Sequence, residues 1–119
     1  EPYLLDKVTS MTGTAARSTG TSGTMHLWNA DTCQALADML RNNVTETYGQ
    51  SRFGDLPVCA KSGTAEVGQG KTPHSWFAGF VDSDTLPLAF VVLAENSGGG
   101  SSVAGSMAAK VLRTAAELL

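Results

Sequence analysis

The clearest helical pattern in the chain lies between residues 29 and 44. Apolar side chains recur there every three or four residues, the spacing that places them on one face of an α-helix. The members of this stripe are Cys33, Leu36, Ala37, Leu40 and Val44. Asn29 can cap the first turn, and Asp31 lies where the helix dipole favours an anion. The pattern predicts a helix from about residue 29 to residue 44.

Three stretches with the character of β-strands follow. Residues 56–67 are entered through Pro57, which a strand tolerates only near its start or at an edge. Residues 74–82 are rich in aromatic side chains, and residues 86–94 are apolar at almost every position. Such an unbroken apolar run is typical of a strand that is covered on both faces. The short connections predict that the three strands are antiparallel neighbours.

A second helix closes the chain after the glycine-rich residues 98–102, with Ser102 or a neighbour as its cap. Its apolar side is predicted to consist of Val103, Met107, Val111, Ala115 and Leu118, with Ala108 and Leu112 beside them. The elements together predict an α+β fold, in which the C-terminal helix and the earlier helix pack on an antiparallel sheet of three to five strands. In that sheet the strand at 86–94 is flanked by the aromatic strand and, as an option, by a strand from residues 1–28.

The first 28 residues show a weaker pattern. Residues 3–9 and 23–28 are each compatible with a strand, and residues 10–22 between them are rich in Thr, Gly and Ser. That composition favours either a hairpin or an open loop. We therefore treat residues 1–119 as one unit, with a core at 29–119 and a poorly defined segment at 1–28.

Composition excludes several classes of function. The chain has 119 residues, a net charge of −3 and 16% charged residues. Without a cluster of Lys and Arg it is not expected to bind nucleic acid, and without a long apolar run this segment is not expected to contact a membrane. Cys33 and Cys59 are predicted to be buried free thiols, although a disulfide stays open. His26 and His74 add no zinc-ligand spacing, so neither a metal nor another cofactor is expected.

The strongest chemical signal is the string Lys-Ser-Gly-Thr at residues 61–64, followed by the aromatic string Trp-Phe-Ala-Gly-Phe at residues 76–80. Both strings lie on adjacent predicted strands, within the order of elements described above. This arrangement resembles the C-terminal part of the transpeptidase domain of class B penicillin-binding proteins, the monofunctional enzymes that cross-link the cell wall. The resemblance implies a partial transpeptidase fold, which is also the fold of the serine β-lactamases.

The resemblance also implies roles for individual residues. Lys61, Ser62 and Thr64 would be catalytic, and substrate would be bound by Ser62, Gly63, Thr64, Ala65 and Glu66. The backbone N–H of Thr64 would stabilise the oxyanion that forms when a serine attacks a carbonyl carbon. Gly63 would let substrate approach the strand closely. The two hydroxyls would bind the carboxylate of a D-Ala-D-Ala stem peptide or of penicillin, and Lys61 would supply positive charge.

Two motifs of the resembled family are missing from the chain. No serine has a lysine three positions later, and no asparagine has a serine two positions before it. We therefore predict that the chain by itself lacks a nucleophile and is inactive. The leading hypothesis is a C-terminal segment of a peptidoglycan D,D-transpeptidase that binds penicillin and acts by serine acylation. The alternatives are a fragment of a β-lactamase or β-lactam sensor, and a non-catalytic module that binds peptidoglycan or protein.

The same resemblance suggests partners and a location. In the full-length protein the ligand would be a stem peptide or a β-lactam, and the remainder of the transpeptidase domain would pack against this chain. Self-association is an option, because a sheet face that lacks its cover exposes apolar surface. The parent protein is expected at the extracytoplasmic face of a bacterial plasma membrane, anchored by a segment that is not present in this chain.

Overall fold

The computed structural model describes residues 7–9, 12–13, 15–18 and 27–118. The elements in chain order are β1 (Lys7–Thr9), β2 (Ala15–Ser18), α1 (Ala30–Asn42), a π-helix (Asn43–Gly49), a 3₁₀-helix (Gln50–Phe53), β3 (Val58–Ala65), β4 (His74–Val81), β5 (Ala89–Ala94) and α2 (Ala104–Glu117). Among the described residues, no helix combines the length and the apolar character needed to cross a bilayer. The predicted α+β class, with a three-stranded antiparallel sheet and two helices, is confirmed.

The N-terminal segment forms a small sheet of its own. β1 pairs with β2 in an antiparallel arrangement, so the second strand lies within residues 10–22, where the sequence predicts a hairpin tip or an open loop. Most of the predicted strand at 23–28 lies outside the described residues, and residues 27–28 are not in a strand. Within the described residues neither β1 nor β2 joins the larger sheet, so the optional flank of the strand at 86–94 is not found there.

The first long helix begins where the sequence predicts. The Thr32 N–H donates to Asn29 Oδ1 at 2.8 Å, which confirms the N-cap. The helical path does not end near residue 44, however. It continues as a π-helix and then as a 3₁₀-helix as far as Phe53. Gly49, with φ of 90°, ends the π-helix, and Gly54, with φ of 63°, ends the 3₁₀-helix. Glycine adopts positive φ without steric cost.

The larger sheet has the order β3-β4-β5 and is antiparallel throughout. Ser62 lies opposite Phe77, which lies opposite Val92, and directly opposed side chains share one face of a sheet. We call this side the covered face. Together with residues of α2 and of the segment 44–53 it forms the hydrophobic core, whose members are Val44, Phe53, Val58, Ala60, Phe77, Val81, Ala104, Ala108, Ala109 and Leu112.

The other side, here called the open face, carries Trp76, Val91 and Leu93. These side chains are 37%, 67% and 40% exposed. The prediction that the strand at 86–94 is covered on both faces is therefore wrong for this chain, because exposure alternates along β5. At one end of the open face Cys59 is buried as predicted. Cys33 on α1 is exposed, which corrects the prediction of two buried thiols.

The closing helix buries the part of its apolar side that contains Ala108 and Leu112, and the stripe through Met107 and Val111 is turned toward solvent. Ala104, Ala108 and Leu112 are buried, whereas Met107 and Val111 are exposed. Its first turn is not capped by Ser102. Instead, the Ala104 N–H donates to Ser75 Oγ of β4 at 2.9 Å. The small alanine side chains allow α2 to lie close to the sheet, so packing at short distance selects this stripe over the bulkier one.

Candidate active site

The outer edge of β3 is covered along its first half by side chains of the preceding helical segment. Arg41 Nη1 donates to the Val58 carbonyl at 3.1 Å, and Asn43 Nδ2 donates to the Ala60 carbonyl at 3.3 Å. The Ser62 N–H in turn donates to the phenol oxygen of Tyr48 at 3.0 Å. An edge strand otherwise leaves a row of unpaired backbone groups. Here that row is satisfied as far as Ser62.

The next backbone groups on this edge belong to Thr64. In an antiparallel pair both backbone groups of alternate residues point away from the partner strand. Val58, Ala60 and Ser62 fix that alternation, so the N–H and carbonyl of Thr64 also point outward. No other described residue bonds to the Thr64 backbone on that side. This open segment is able to pair with an extended ligand and to donate an N–H to a developing oxyanion.

Lys61 lies on the open face of the sheet and is exposed. Its Nζ donates to the carbonyl oxygen of Ser62 at 2.7 Å. No acidic side chain in the described part of the chain forms an ion pair with it. The ammonium group is therefore held beside the motif with its charge uncompensated, which favours an anionic ligand next to Ser62.

The side chain of Ser62 is bound to Tyr48. The two hydroxyl oxygens are 3.0 Å apart, and the Tyr48 ring packs edge-on against Phe77 with centroids 5.3 Å apart. Burial raises the pKa of the Tyr48 phenol, but the hydrogen bonds with Ser62 and the positive charge of Lys61 outweigh burial, so the net pKa is lowered. The Ser62 hydroxyl is thus held by a partner that lies outside the predicted motif.

The backbone of Gly63 is closely packed between Trp76 and the loop at Gly100. A Cβ on Gly63 would be 3.3 Å from Trp76 Cβ, and a Cβ on Gly100 would clash with the backbone of Gly63 and Trp76. The loop at Gly100 therefore lies directly against the motif, where its N–H donates to Thr64 Oγ1 at 3.3 Å. Only glycine at position 100 allows this approach.

Ser75 anchors that loop. It is fully buried, and it lies opposite Thr64 in the sheet. Its Oγ donates to the Gly99 carbonyl at 2.9 Å and accepts the Ala104 N–H at 2.9 Å. One buried hydroxyl thus connects β4, the glycine loop and the start of α2. The loop that contacts Thr64 is fixed through this bond network.

The remaining predicted site residues lie at the end of the strand. Ala65 is opposite His74, the first residue of β4. Glu66 follows β3 and is exposed. The residues from Lys61 to Ala65 are therefore consecutive along one strand, as the sequence predicts, and Glu66 lies directly after it. Their assigned roles in catalysis and binding stay predictions.

Several residues of this site were not predicted from the sequence, namely Arg41, Asn43, Tyr48, Ser75 and Gly100. A signal existed for Tyr48, because it lies four residues after Val44 and extends the apolar stripe of the first helix. For Ser75 and Gly100 no such signal exists, since their partners are 24 to 36 residues away in the chain.

Comparison with known proteins identifies the family. A family model described as the penicillin binding protein transpeptidase domain matches residues 1–113. The peptidoglycan D,D-transpeptidase MrdA of Haemophilus influenzae is 34% identical, in an alignment that covers 59% of this chain and 13% of MrdA. The chain is thus similar to a small part of that relative.

Two solved structures share the fold. Penicillin-binding protein A of M. tuberculosis, in an acyl-enzyme complex with imipenem, gives a TM-score of 0.67 at 21% identity over 97% of this chain and 26% of that one. The D,D-transpeptidase domain of a peptidoglycan glycosyltransferase from Eggerthella lenta gives a TM-score of 0.67 at 25% identity over 95% of this chain and 26% of that one. The predicted resemblance is confirmed, and the chain belongs to the penicillin-binding protein transpeptidase domain family.

Proposed function

We propose that this chain forms the Lys-Ser-Gly-Thr wall of a serine D,D-transpeptidase site. The site would bind penicillin and cross-link peptidoglycan stem peptides by serine acylation. One observation carries the proposal: the edge of β3 is occupied by side chains as far as Ser62 and opens at Thr64. That is the position from which the family motif donates its backbone N–H.

In this proposal each residue of the motif has a distinct task. The Thr64 N–H stabilises the oxyanion, a contribution of about 3 kcal/mol per donor in related chemistry. Lys61 provides positive charge beside the reacting groups. The Ser62 and Thr64 hydroxyls bind the ligand carboxylate, and Gly63 keeps the strand surface free of a side chain. Ala65 and Glu66 extend the edge along which the peptide pairs.

The nucleophile comes from outside this chain. A Ser-x-x-Lys serine in the parent protein would attack the carbonyl carbon, expel the terminal D-Ala or open the β-lactam ring, and leave an acyl-serine. The family match and the name of the MrdA relative favour this activity over a β-lactamase, a sensor or a non-catalytic module. We place the parent protein at the extracytoplasmic face of the plasma membrane, where its peptidoglycan substrate lies.

Labelling with fluorescent penicillin tests the proposal. In the full-length protein, Lys61→Ala should lower the rate of covalent labelling by about 10²-fold or more, as expected for loss of a group that assists proton transfer. Lys71→Ala is the matched control, because Lys71 is an exposed lysine in the turn between β3 and β4. Its labelling should equal that of the wild type.

The 119-residue chain alone should acquire no label that survives denaturation. Stoichiometric covalent labelling of this chain would contradict the predicted absence of a nucleophile. A full-length protein without a Ser-x-x-Lys motif, and without labelling, would overturn the transpeptidase proposal in favour of a binding module.

A further inference from the structure

Tyr48 is fixed in place by contacts on several sides. It lies near the end of the π-helix, half-buried, with its ring at 70° to that of Phe77. Arg52 Nη1 donates to its backbone carbonyl at 3.3 Å. The π-helix connects α1 to the 3₁₀-helix, and such widened turns often mark functional sites. The phenol oxygen is thereby held against the outer edge of β3.

The hydrogen bonds of this phenol can be assigned by counting donors and acceptors. Tyr48 Oη already accepts the Ser62 N–H, and it has one O–H to donate. Within the described part of the chain, the only acceptor in reach is Ser62 Oγ, at 3.0 Å. If Ser62 donated to Tyr48 instead, the half-buried phenol hydrogen would have no protein partner. The arrangement in which the neutral phenol donates to Ser62 Oγ is thus the one that gives the phenol hydrogen a partner within the protein, although either oxygen can be the donor at this distance.

This direction leaves the hydrogen of the Ser62 hydroxyl free to donate elsewhere. A hydroxyl that accepts one hydrogen bond becomes a better donor of its own, because the bonds polarise one another. Lys61 Nζ donates to the backbone carbonyl of the same residue, so a cation is held next to Ser62. A negatively charged oxygen is the ligand that fits this pair of groups.

We infer that Tyr48 is a positioning residue, which holds the Ser62 hydroxyl as a hydrogen-bond donor toward the carboxylate of the ligand. The inference deepens the proposed function and rests on it. Tyr48 does not touch the ligand. It acts through Ser62, whose backbone and side chain it binds at the same time.

Ionisation of the Tyr48 phenol should reverse the direction of its hydrogen bond with the Ser62 hydroxyl. A phenolate has no hydrogen to donate, so the Ser62 O–H would donate to it and would be withdrawn from the ligand. The charged groups on the elements around the π-helix are Lys61 on β3, Arg52 on the 3₁₀-helix, Asp31, Asp38 and Arg41 on α1, and Glu46 within it. Of these, only Lys61 adds to the hydrogen bonds that lower the pKa of Tyr48. Carboxylate recognition should therefore decline at alkaline pH in the wild type.

A double-mutant cycle in the full-length protein tests the inference. The variants are Tyr48→Phe, Ser62→Ala and the two combined, and the ligands are a penicillin and the methyl ester of the same penicillin. Tyr48→Phe keeps the ring against Phe77 and removes only the hydroxyl. It should lower the acylation rate by the acid about tenfold and leave the rate with the ester unchanged.

The combined variant should be no slower than Ser62→Ala, because Tyr48 acts through the Ser62 hydroxyl. The alkaline decline should also be smaller in Tyr48→Phe than in the wild type. Multiplicative losses in the double variant, or equal losses for acid and ester, would overturn the inference and leave Tyr48 with a packing role. If the wild type reacts with neither ligand, the proposed function fails and the inference fails with it.

Discussion

The two faces of the sheet differ in burial although both carry large apolar side chains. Phe77 on the covered face is fully buried, whereas its neighbour Trp76 on the open face is 37% exposed. The covered face is packed by α2 and the segment 44–53. The open face has no comparable layer within the described residues, except near Cys59. Hydrophobicity alone thus does not determine burial, since a second layer of structure must be present to provide it.

The largest expected effect is the loss of stability in Phe77→Ala, and Trp76→Ala on the opposite face is its comparison. Phe77→Ala should lower the free energy of unfolding by about 3–5 kcal/mol, because it leaves a cavity between the sheet and α2. Trp76→Ala removes a side chain that is partly in water already, and should cost roughly 1 kcal/mol. Urea denaturation of the 119-residue chain measures both. Equal losses would show that the open face is covered in solution.

Removal of the Ser75 hydroxyl, which anchors the glycine loop, should lower stability by a smaller amount. Ser75→Ala leaves the buried Ala104 N–H without its partner, and should cost about 1–3 kcal/mol in the same assay. Ser102→Ala is the matched control, because this exposed serine also donates to the Gly99 carbonyl. Its cost should stay within roughly 0.5 kcal/mol. If the two variants were equally stable, Ser75 would not be the anchor of the glycine loop.

The open face should promote association of the chain with itself. Val91 and Leu93 add exposed apolar surface on β5, which is an edge strand within the described sheet. Light scattering at micromolar concentration should report a dimer or a larger species. Val91→Lys should weaken association about tenfold, since a charge there must be desolvated in the contact. Asp84→Lys, in the exposed turn before β5, should leave it unchanged. A monomeric wild type that binds no apolar dye would contradict the prediction.

The smallest expected effect is a change in stability at alkaline pH that comes from Cys59, at the buried end of the open face. Burial and the negative charge of Asp82 raise the pKa of the Cys59 thiol above its ordinary value of 9.0, although Arg41 opposes the shift. The folded chain then keeps a proton that the unfolded chain loses. The contribution of Cys59 to stability is therefore present below pH 9.0 and declines as the pH rises through the folded pKa.

Urea denaturation of the wild type and of Cys59→Ala should show this decline as a stability difference that becomes smaller at alkaline pH. Other titrating groups, including Tyr48, cancel in the comparison. A thiol reagent provides an independent check, because exposed Cys33 should react in the folded chain and Cys59 only after unfolding. Rapid reaction of both thiols would contradict the burial of Cys59.

Local patterns were sufficient for most elements. Asn29 and the helical spacing after it predicted the start of α1, and the three strands fall within the predicted ranges. Residues 61–65 could be placed on one strand because they are consecutive, and Glu66 follows that strand. The α-helical pattern failed where the helical period changes. The sequence predicted that the helix ends near residue 44, whereas a π-helix and a 3₁₀-helix continue it to Phe53.

The sequence by itself determined the class of fold, the order of the strands and the strand that carries the Lys-Ser-Gly-Thr motif. These follow from short-range periodicity, turn residues and a contiguous string. Only the tertiary structure decided which stripe of α2 is buried, which sheet face is open, and that Tyr48 occupies the Ser62 N–H. Each of these depends on contacts between residues that are far apart in the chain. Several packings can satisfy one apolar pattern, and close packing with paired backbone groups selects among them.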